Sequence, residues 1–170
     1  MLRNVFLKTQ RDHRRSLMWW SVGTGLLVAF LVAFYPTIEG IEGLEELVEQ
    51  YPKDLMALFG ASDLSNIATP AGYLNAELFG FMLPLILAVF AIAQGSSAIA
   101  GEERSGTMEL LLSQPITRGR LVLEKFGSMV ASVIALTLII WLVLVIGKFV
   151  TDMDISVLRL AEMSVSVALL

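Results

Sequence analysis

Residues 101–125, GEERSGTMELLLSQPITRGRLVLEK, decide how this chain is read. They form a short, charged, punctuated interlude between two long apolar runs, residues 78–100 and 126–147. Each run is about 22 residues, or ~33 Å as a helix, and so reaches across a ~30 Å hydrocarbon layer. The interlude therefore sits at one membrane face. Glu102, Glu103 and Arg104 end the first run, because charge at bilayer depth is costly. Gly106 supplies a turn. Thr107 caps a short helix over residues 108–113, and Glu109 in its first turn suits the positive end of the helix dipole. That helix carries Leu110, Leu111 and Leu112, and Pro115 stops it. Thr117 opens the next helix, on which Arg120 and Glu124 are spaced for an i,i+4 pair. Three adjacent leucines on a short helix at an aqueous face either lie in the headgroup layer or dock into another protein.

The composition agrees with a membrane setting. Of 170 residues, 56% are hydrophobic and 16% charged, with a mean hydropathy of +0.74. A soluble domain carries about 25% charged residues. The net charge of −4 is no partner signal, because the charges segregate by membrane side. Without cysteine there is neither a disulfide framework nor a thiolate metal site.

Residues 1–16 are basic, with Arg3, Lys8, Arg11, Arg14 and Arg15 against Asp12. Val5, Phe6 and Leu7 give the segment an apolar face. A signal peptide is disfavoured, since the run at 17–35 is too long for an h-region and no cleavage pattern follows. Residues 17–35 read as the first span, with Trp19, Trp20 and Tyr35 as interfacial aromatics. Ser21, Gly25, Ala29 and Ala33 fall four apart and predict a close-packing stripe. Residues 36–77 form an acidic external segment with short helices. Its acids are Glu39, Glu42, Glu45, Glu46, Glu49, Asp54, Asp63 and Glu77, against Lys53. This cluster reads as a solvated face or a cation-attracting one. Thr69 and Pro70 read as a cap and a helix start leading to the second span.

Residues 78–100 form the second span. Pro84 predicts a kink or a locally broken ladder, and Gln94, Gly95, Ser96 and Ser97 make its last third polar. Those polar residues belong either to a pathway or to a packed seam. Residues 126–147 form the third span, where Gly127, Ala131 and Ala135 make a second small-residue stripe. Trp141 lies too deep for an interface belt and faces another helix. Residues 160–170 begin another apolar run of about 11 residues, too short to cross, and read as a truncated fourth span.

The basic residues set the topology. The N-terminal segment holds the five named above, the external segment Lys53, the central loop Arg104, Arg118, Arg120 and Lys125, and the exit loop Lys148 and Arg159. This high, low, high, low order predicts a cytoplasmic N-terminus and a cytoplasmic 101–125 loop.

Several function classes are excluded or unsupported. No G-x-x-x-x-G-K-[ST] phosphate cradle is present, so the chain binds no ATP through a P-loop. The one histidine, His13, has no cluster that would make it a ligand or a base. The three spans hold no ionisable residue of the kind intramembrane enzymes use. There is no nucleic-acid stripe. What remains is a transporter subunit or, alternatively, a membrane scaffold or sensor that uses its acidic outer segment for recognition.

Glu102, Glu103, Ser105, Gly106, Thr107, Glu109, Leu110, Leu111, Leu112, Pro115 and Arg118 together resemble the signature of the type-two ABC export permeases. These are the membrane subunits of ATP-binding-cassette transporters, and their pattern G-E-E-x-x-G-T-x-x-L-L-L-x-x-P-x-x-R lies in the cytoplasmic loop after the second span. The likeness continues into both flanking spans and covers nearly the whole chain. It implies an all-α, polytopic transmembrane helical bundle, here the N-terminal part of a domain of about six spans. It implies that residues 1–16 lie along the cytoplasmic surface as an amphipathic helix. It further implies that the loop couples to a separate ATPase subunit, with Glu102 and Glu103 as acidic contacts and Arg118 pairing back to one of them. The chain itself would bind no cofactor, with ATP and Mg held by the partner. A second permease copy or half would complete the path, in the plasma membrane, for export rather than import.

Overall fold

The computed structural model describes residues 5–39, 69–104, 106 and 117–169. Among them the secondary structure is all helical. Helix α1 spans Val5–Glu39, α2 Pro70–Leu74, α3 Met82–Arg104, α4 Arg118–Thr151 and α5 Val157–Ala168. A π-helical segment, Asn75–Phe79, joins α2 to α3. Among the described residues three stretches are long and apolar enough to cross a membrane: Val5–Ile38, Pro70–Ala98 and Gly119–Thr151. The chain is thus a polytopic helical membrane protein.

The sequence divides a surface helix at 1–16 from a span at 17–35. In the structure α1 runs unbroken for 35 residues. Nothing between Arg14 and Leu17 breaks a helix, and the first turn is held against α4. Pro36 lies inside the last turn, and the helix continues past it to Glu39. Likewise α4 begins at Arg118, well before residue 126, and runs 34 residues.

The start of α2 follows the local chemistry. Thr69 is its N-cap, its hydroxyl oxygen accepting the Gly72 amide at 3.1 Å, with Pro70 opening the helix. The irregularity expected near Pro84 falls just ahead of it. The Gly80 amide donates to the Asn75 carbonyl at 2.7 Å, a five-residue step, before α3 begins. Proline at the start of α3 costs little, because first-turn amides have no intrahelical acceptor.

The most extensive packing is α1 against α4. The two helices run parallel. Val5 meets Glu124, Gly25 lies against Val143, and Val32 against Gly147. Their buried faces are Thr9, Thr24, Val28, Leu31, Val32 and Tyr35 on one side, and Ser128, Ser132, Leu136, Ile140 and Leu144 on the other. Helix α3 runs antiparallel to both. Gly95 lies against Met129, and the Trp20 and Phe90 rings meet edge to face at 5.6 Å. Leu26, Phe30, Ile92, Leu138 and Ile146 point outward, as lipid-facing side chains do.

The small-residue stripes coincide with these seams only in part. Gly25 does approach Val143, but Ala29 and Ala33 are exposed and Ser21 is half-buried. A four-residue step advances 400°, so the row drifts about 40° per step and leaves the contact face. Gly127, Ala131 and Ala135 are half-buried, one position before the buried Ser128, Ser132 and Leu136. Among the described glycines the tightest site is Gly147, which the spacing does not single out. A Cβ there would lie 2.5 Å from Val32 Cγ1 and 3.2 Å from Val32 Cβ.

At the far end of α4, Asp152 adopts a left-handed conformation, φ 52° and ψ 30°. The Met153 amide then returns to the Lys148 carbonyl at 3.2 Å. Met153 and Ile155 are buried beneath this turn, and Ser156 caps α5 by accepting the Arg159 amide at 3.2 Å. Helix α5 has 12 residues, ~18 Å of helix, and buries Leu160, Ser164 and Val167. Leu158 and Val165 face outward. Arg159 and Glu162, spaced for a pair at its start, are both exposed.

Gly147→Ala forces a methyl into Val32, whose branched side chain has little rotamer freedom. An overpacking cost of about 1–3 kcal/mol is expected, read as a lower unfolding midpoint in detergent. Val32→Ala on the same background should restore most of it, and failure of that rescue would refute the close approach.

Candidate functional site

The helix ends gather at one face, which carries Lys8, Arg11, Arg14, Arg15, Arg104, Arg120 and Lys125. At this basic face α1 and α4 begin and α3 ends. A helix N-terminus leaves its first amides without intrahelical acceptors. Here a residue of another helix supplies one. Glu124 Oε2 accepts the Val5 amide at 2.8 Å and the Phe6 amide at 3.3 Å. Its other oxygen accepts Arg120 Nε at 2.8 Å, the i,i+4 pair that the spacing predicts. One carboxylate thus caps α1, pairs along α4 and fixes the two helices to each other.

The next turns extend the joint. Gln10 Nε2 donates to the Ser128 carbonyl at 2.9 Å. Ser132 Oγ donates to the same carbonyl at 3.0 Å and approaches Gln10 Oε1 at 3.4 Å. Phe6 lies over Gly127, where a Cβ would be 3.9 Å from its ring. Lys125 Nζ donates to the Ala98 carbonyl of α3. All three long helices are therefore tied together within a few residues of their ends on this face.

The connection between α3 and α4 leaves from this joint. Helix α3 ends at Arg104, and the Gly106 amide bonds back to the Glu103 carbonyl at 3.1 Å. Gly106 has φ +67°, a conformation that an L side chain disfavours, so the helix cannot continue through it. The turn expected at Gly106 is present. On the other side Thr117 is the N-cap of α4, accepting the Arg120 amide at 3.3 Å, also as expected.

Of the remaining loop residues, Glu103 is exposed in the last turn of α3. Glu102 lies in the same turn, and Arg118 is the first residue of α4. Thr107, Glu109, Leu110, Leu111, Leu112 and Pro115 lie outside the described residues, as do the external acids from Glu42 to Asp63. The sequence missed the capping role of Glu124. No local pattern encodes it, because the Val5 and Phe6 amides that donate to it lie 119 and 118 positions away.

Within the spans, Gln94 is buried, and its carbonyl accepts Ser97 Oγ at 3.0 Å. Gln94 Nε2, Ser21 Oγ, Thr137 Oγ1 and Trp141 Nε1 are buried with no hydrogen-bond partner among the described residues. Trp141 packs against the core of the bundle. No group of three or more potential metal ligands occurs among the described residues.

A bundle of long apolar helices whose ends are tied together at one charged face is the architecture of a polytopic membrane protein. The family model for "ABC-2 family transporter protein" matches residues 3–170, and the chain belongs to that family. It is similar to a protein of Pseudomonas aeruginosa described as "Probable ABC transporter permease protein NosY", 39% identical over 75 residues. That stretch covers 42% of this chain and 26% of the relative. No solved structure matches the chain.

Glu124→Ala removes the acceptor for two amides and a guanidinium together. Trypsin is expected to cut at Lys8 and Arg11 several-fold faster in the variant than in the parent protein. Unchanged cleavage would show that the cap does not hold the start of α1.

Proposed function

We propose that the chain is a permease subunit of an ATP-driven ABC export system. It would form part of the translocation path and couple to a separate ATPase subunit that holds ATP and Mg. A second permease copy or half would complete the path. The N-terminus and the 101–125 loop would face the cytoplasm, in the cell membrane.

Family membership supports the transporter reading. The observation that carries the coupling reading is the joint at the basic face. Glu124 ties α1 to α4, and Lys125 ties α4 to α3, immediately beside the connection that leaves at Gly106 and returns at Thr117. A force on residues 107–116 would enter all three long helices at once, because none of their ends is free to yield alone. Glu102 and Glu103 would be the acidic contacts to the ATPase, and Arg118 would pair back to one of them. Leu110, Leu111 and Leu112 would supply the apolar docking surface, with Thr107, Glu109 and Pro115 setting its limits. The distribution of bases supports the orientation.

The test begins with purification from membranes and a search for a P-loop ATPase that travels with the protein. Its absence would favour a scaffold. With the partner in hand, Glu102→Ala with Glu103→Ala is expected to leave insertion intact and to lower transport-linked hydrolysis by about five-fold or more. Unchanged hydrolysis would remove the coupling assignment. Orientation has a separate test, since the chain has no cysteine. Gly119→Cys, at an exposed helical position in the same stretch, should react with an impermeant maleimide only when the cytoplasmic side is open, and labelling of intact cells would reverse the topology.

A further inference from the structure

A cleft of about 330 Å³ opens between α1 and α3. Trp19, Trp20, Gly23, Thr24 and Leu27 line it from α1, and Ile86 from α3. Trp19 to Leu27 is ~12 Å along the helix axis, starting at the end of the apolar run nearest the basic face. Trp20 is held in place by its edge-to-face contact with Phe90. At Gly23 an added Cβ would meet nothing within 4 Å. Glycine there does not serve a close helix contact; it leaves the cleft open.

The charge beside the cleft is net positive, with Arg11, Arg14 and Arg15 against Asp12. Arg15 lies one turn before Trp19, displaced about 40° round α1, and Arg11 lies one turn further toward the basic face. Arg11, Arg14 and Arg15 are exposed, and no ion pair engages them among the described residues, whereas Lys8 has Asp12 at 3.8 Å. Helical side chains lean toward the helix N-terminus. Long basic side chains at a span's end therefore reach the headgroup level while their stems cover apolar surface.

We propose that this cleft holds an acyl chain of one anionic phospholipid, whose phosphate is met by Arg15 and its neighbours. An apolar lining at hydrocarbon depth suits a lipid tail and offers water too few partners. A whole helix, ~10 Å across with side chains, is too wide for it. The arginines select the headgroup, since a guanidinium matches phosphate oxygens in bidentate geometry. The inference needs only that the chain is embedded in a bilayer, and stands apart from the transport reading.

Native mass spectrometry of the purified protein tests it, with phosphatidylglycerol and phosphatidylcholine of identical acyl chains as probes. One phosphatidylglycerol is expected to stay bound with an apparent affinity about five-fold or more above that of phosphatidylcholine, and Arg15→Gln should remove about that factor. Gly23→Phe should abolish the adduct by filling the cleft. Ala29→Phe, equal bulk at an exposed position on the other side of α1, should leave it intact. If Gly23→Phe loses its helical circular dichroism, Ile86→Trp fills the same space from α3. Equal retention of the two lipids overturns the proposal. So does an adduct that survives cleft filling, or one lost on filling but indifferent to Arg15→Gln.

Discussion

The parallel contact between α1 and α4 sets the position of everything else. In a bilayer, apolar side chains gain nothing by leaving lipid for each other, so helices associate through close packing and polar ties. This pair uses both. At the basic face the ties are polar, with Glu124 under the first amides of α1 and Gln10 on the Ser128 carbonyl. Toward the other face the contact is steric, with Gly25 against Val143 and Val32 against Gly147. The middle is filled by Thr24 and Val28 against Leu136 and Ile140, all buried. A parallel pair joined at both ends cannot slide without losing every one of these at once.

Helix α3 and the short elements are placed by that pair. At the basic face Lys125 reaches the Ala98 carbonyl, and beyond it Gly95 admits Met129 and Phe90 receives Trp20. At the other face Tyr73 of α2 donates to the Leu31 carbonyl at 3.0 Å and packs on Tyr35. That contact anchors the helix entry ahead of the π-helical segment. The left-handed Asp152 reverses the chain so that α5 folds back on α4 with Leu160, Ser164 and Val167 inward. Asp is among the few side chains that accept such a conformation at modest cost.

The interior polar atoms stand out against this economy. Gln94 Nε2, Ser21 Oγ, Thr137 Oγ1 and Trp141 Nε1 are buried without partners among the described residues. Unpaired polar groups at hydrocarbon depth are costly. Thr137 and Trp141 are one turn apart on α4, and Ser21 of α1 falls at the same level in the parallel register set by Gln10 with Ser128 and Gly25 with Val143. The α1–α4 seam is thus sterically packed at the far end and tied by polar groups at the basic end, with Ser21 Oγ, Thr137 Oγ1 and Trp141 Nε1 buried between.

Much of the architecture was legible in the chain itself. Run length and hydropathy gave three crossings, because the bilayer imposes a length that no sequence context alters. Local chemistry gave the turn at Gly106, the caps at Thr69 and Thr117, and the Arg120–Glu124 pair, since each involves residues within one helical turn. The sequence placed Trp141 against another helix and Gly25 in a contact, but other features decided by a second helix escaped it. The stripe ending in Ala29 and Ala33 drifts off the contact face, and the true close approach is at Gly147. The N-terminal segment is not a separate helix, because Glu124 holds its first turn upright in line with the span. Spacing along a chain fixes which residues share a helix face; only the packed structure decides which face meets a neighbour, because lipid and protein are equally apolar and the choice between them rests on shape and on a few distant polar partners.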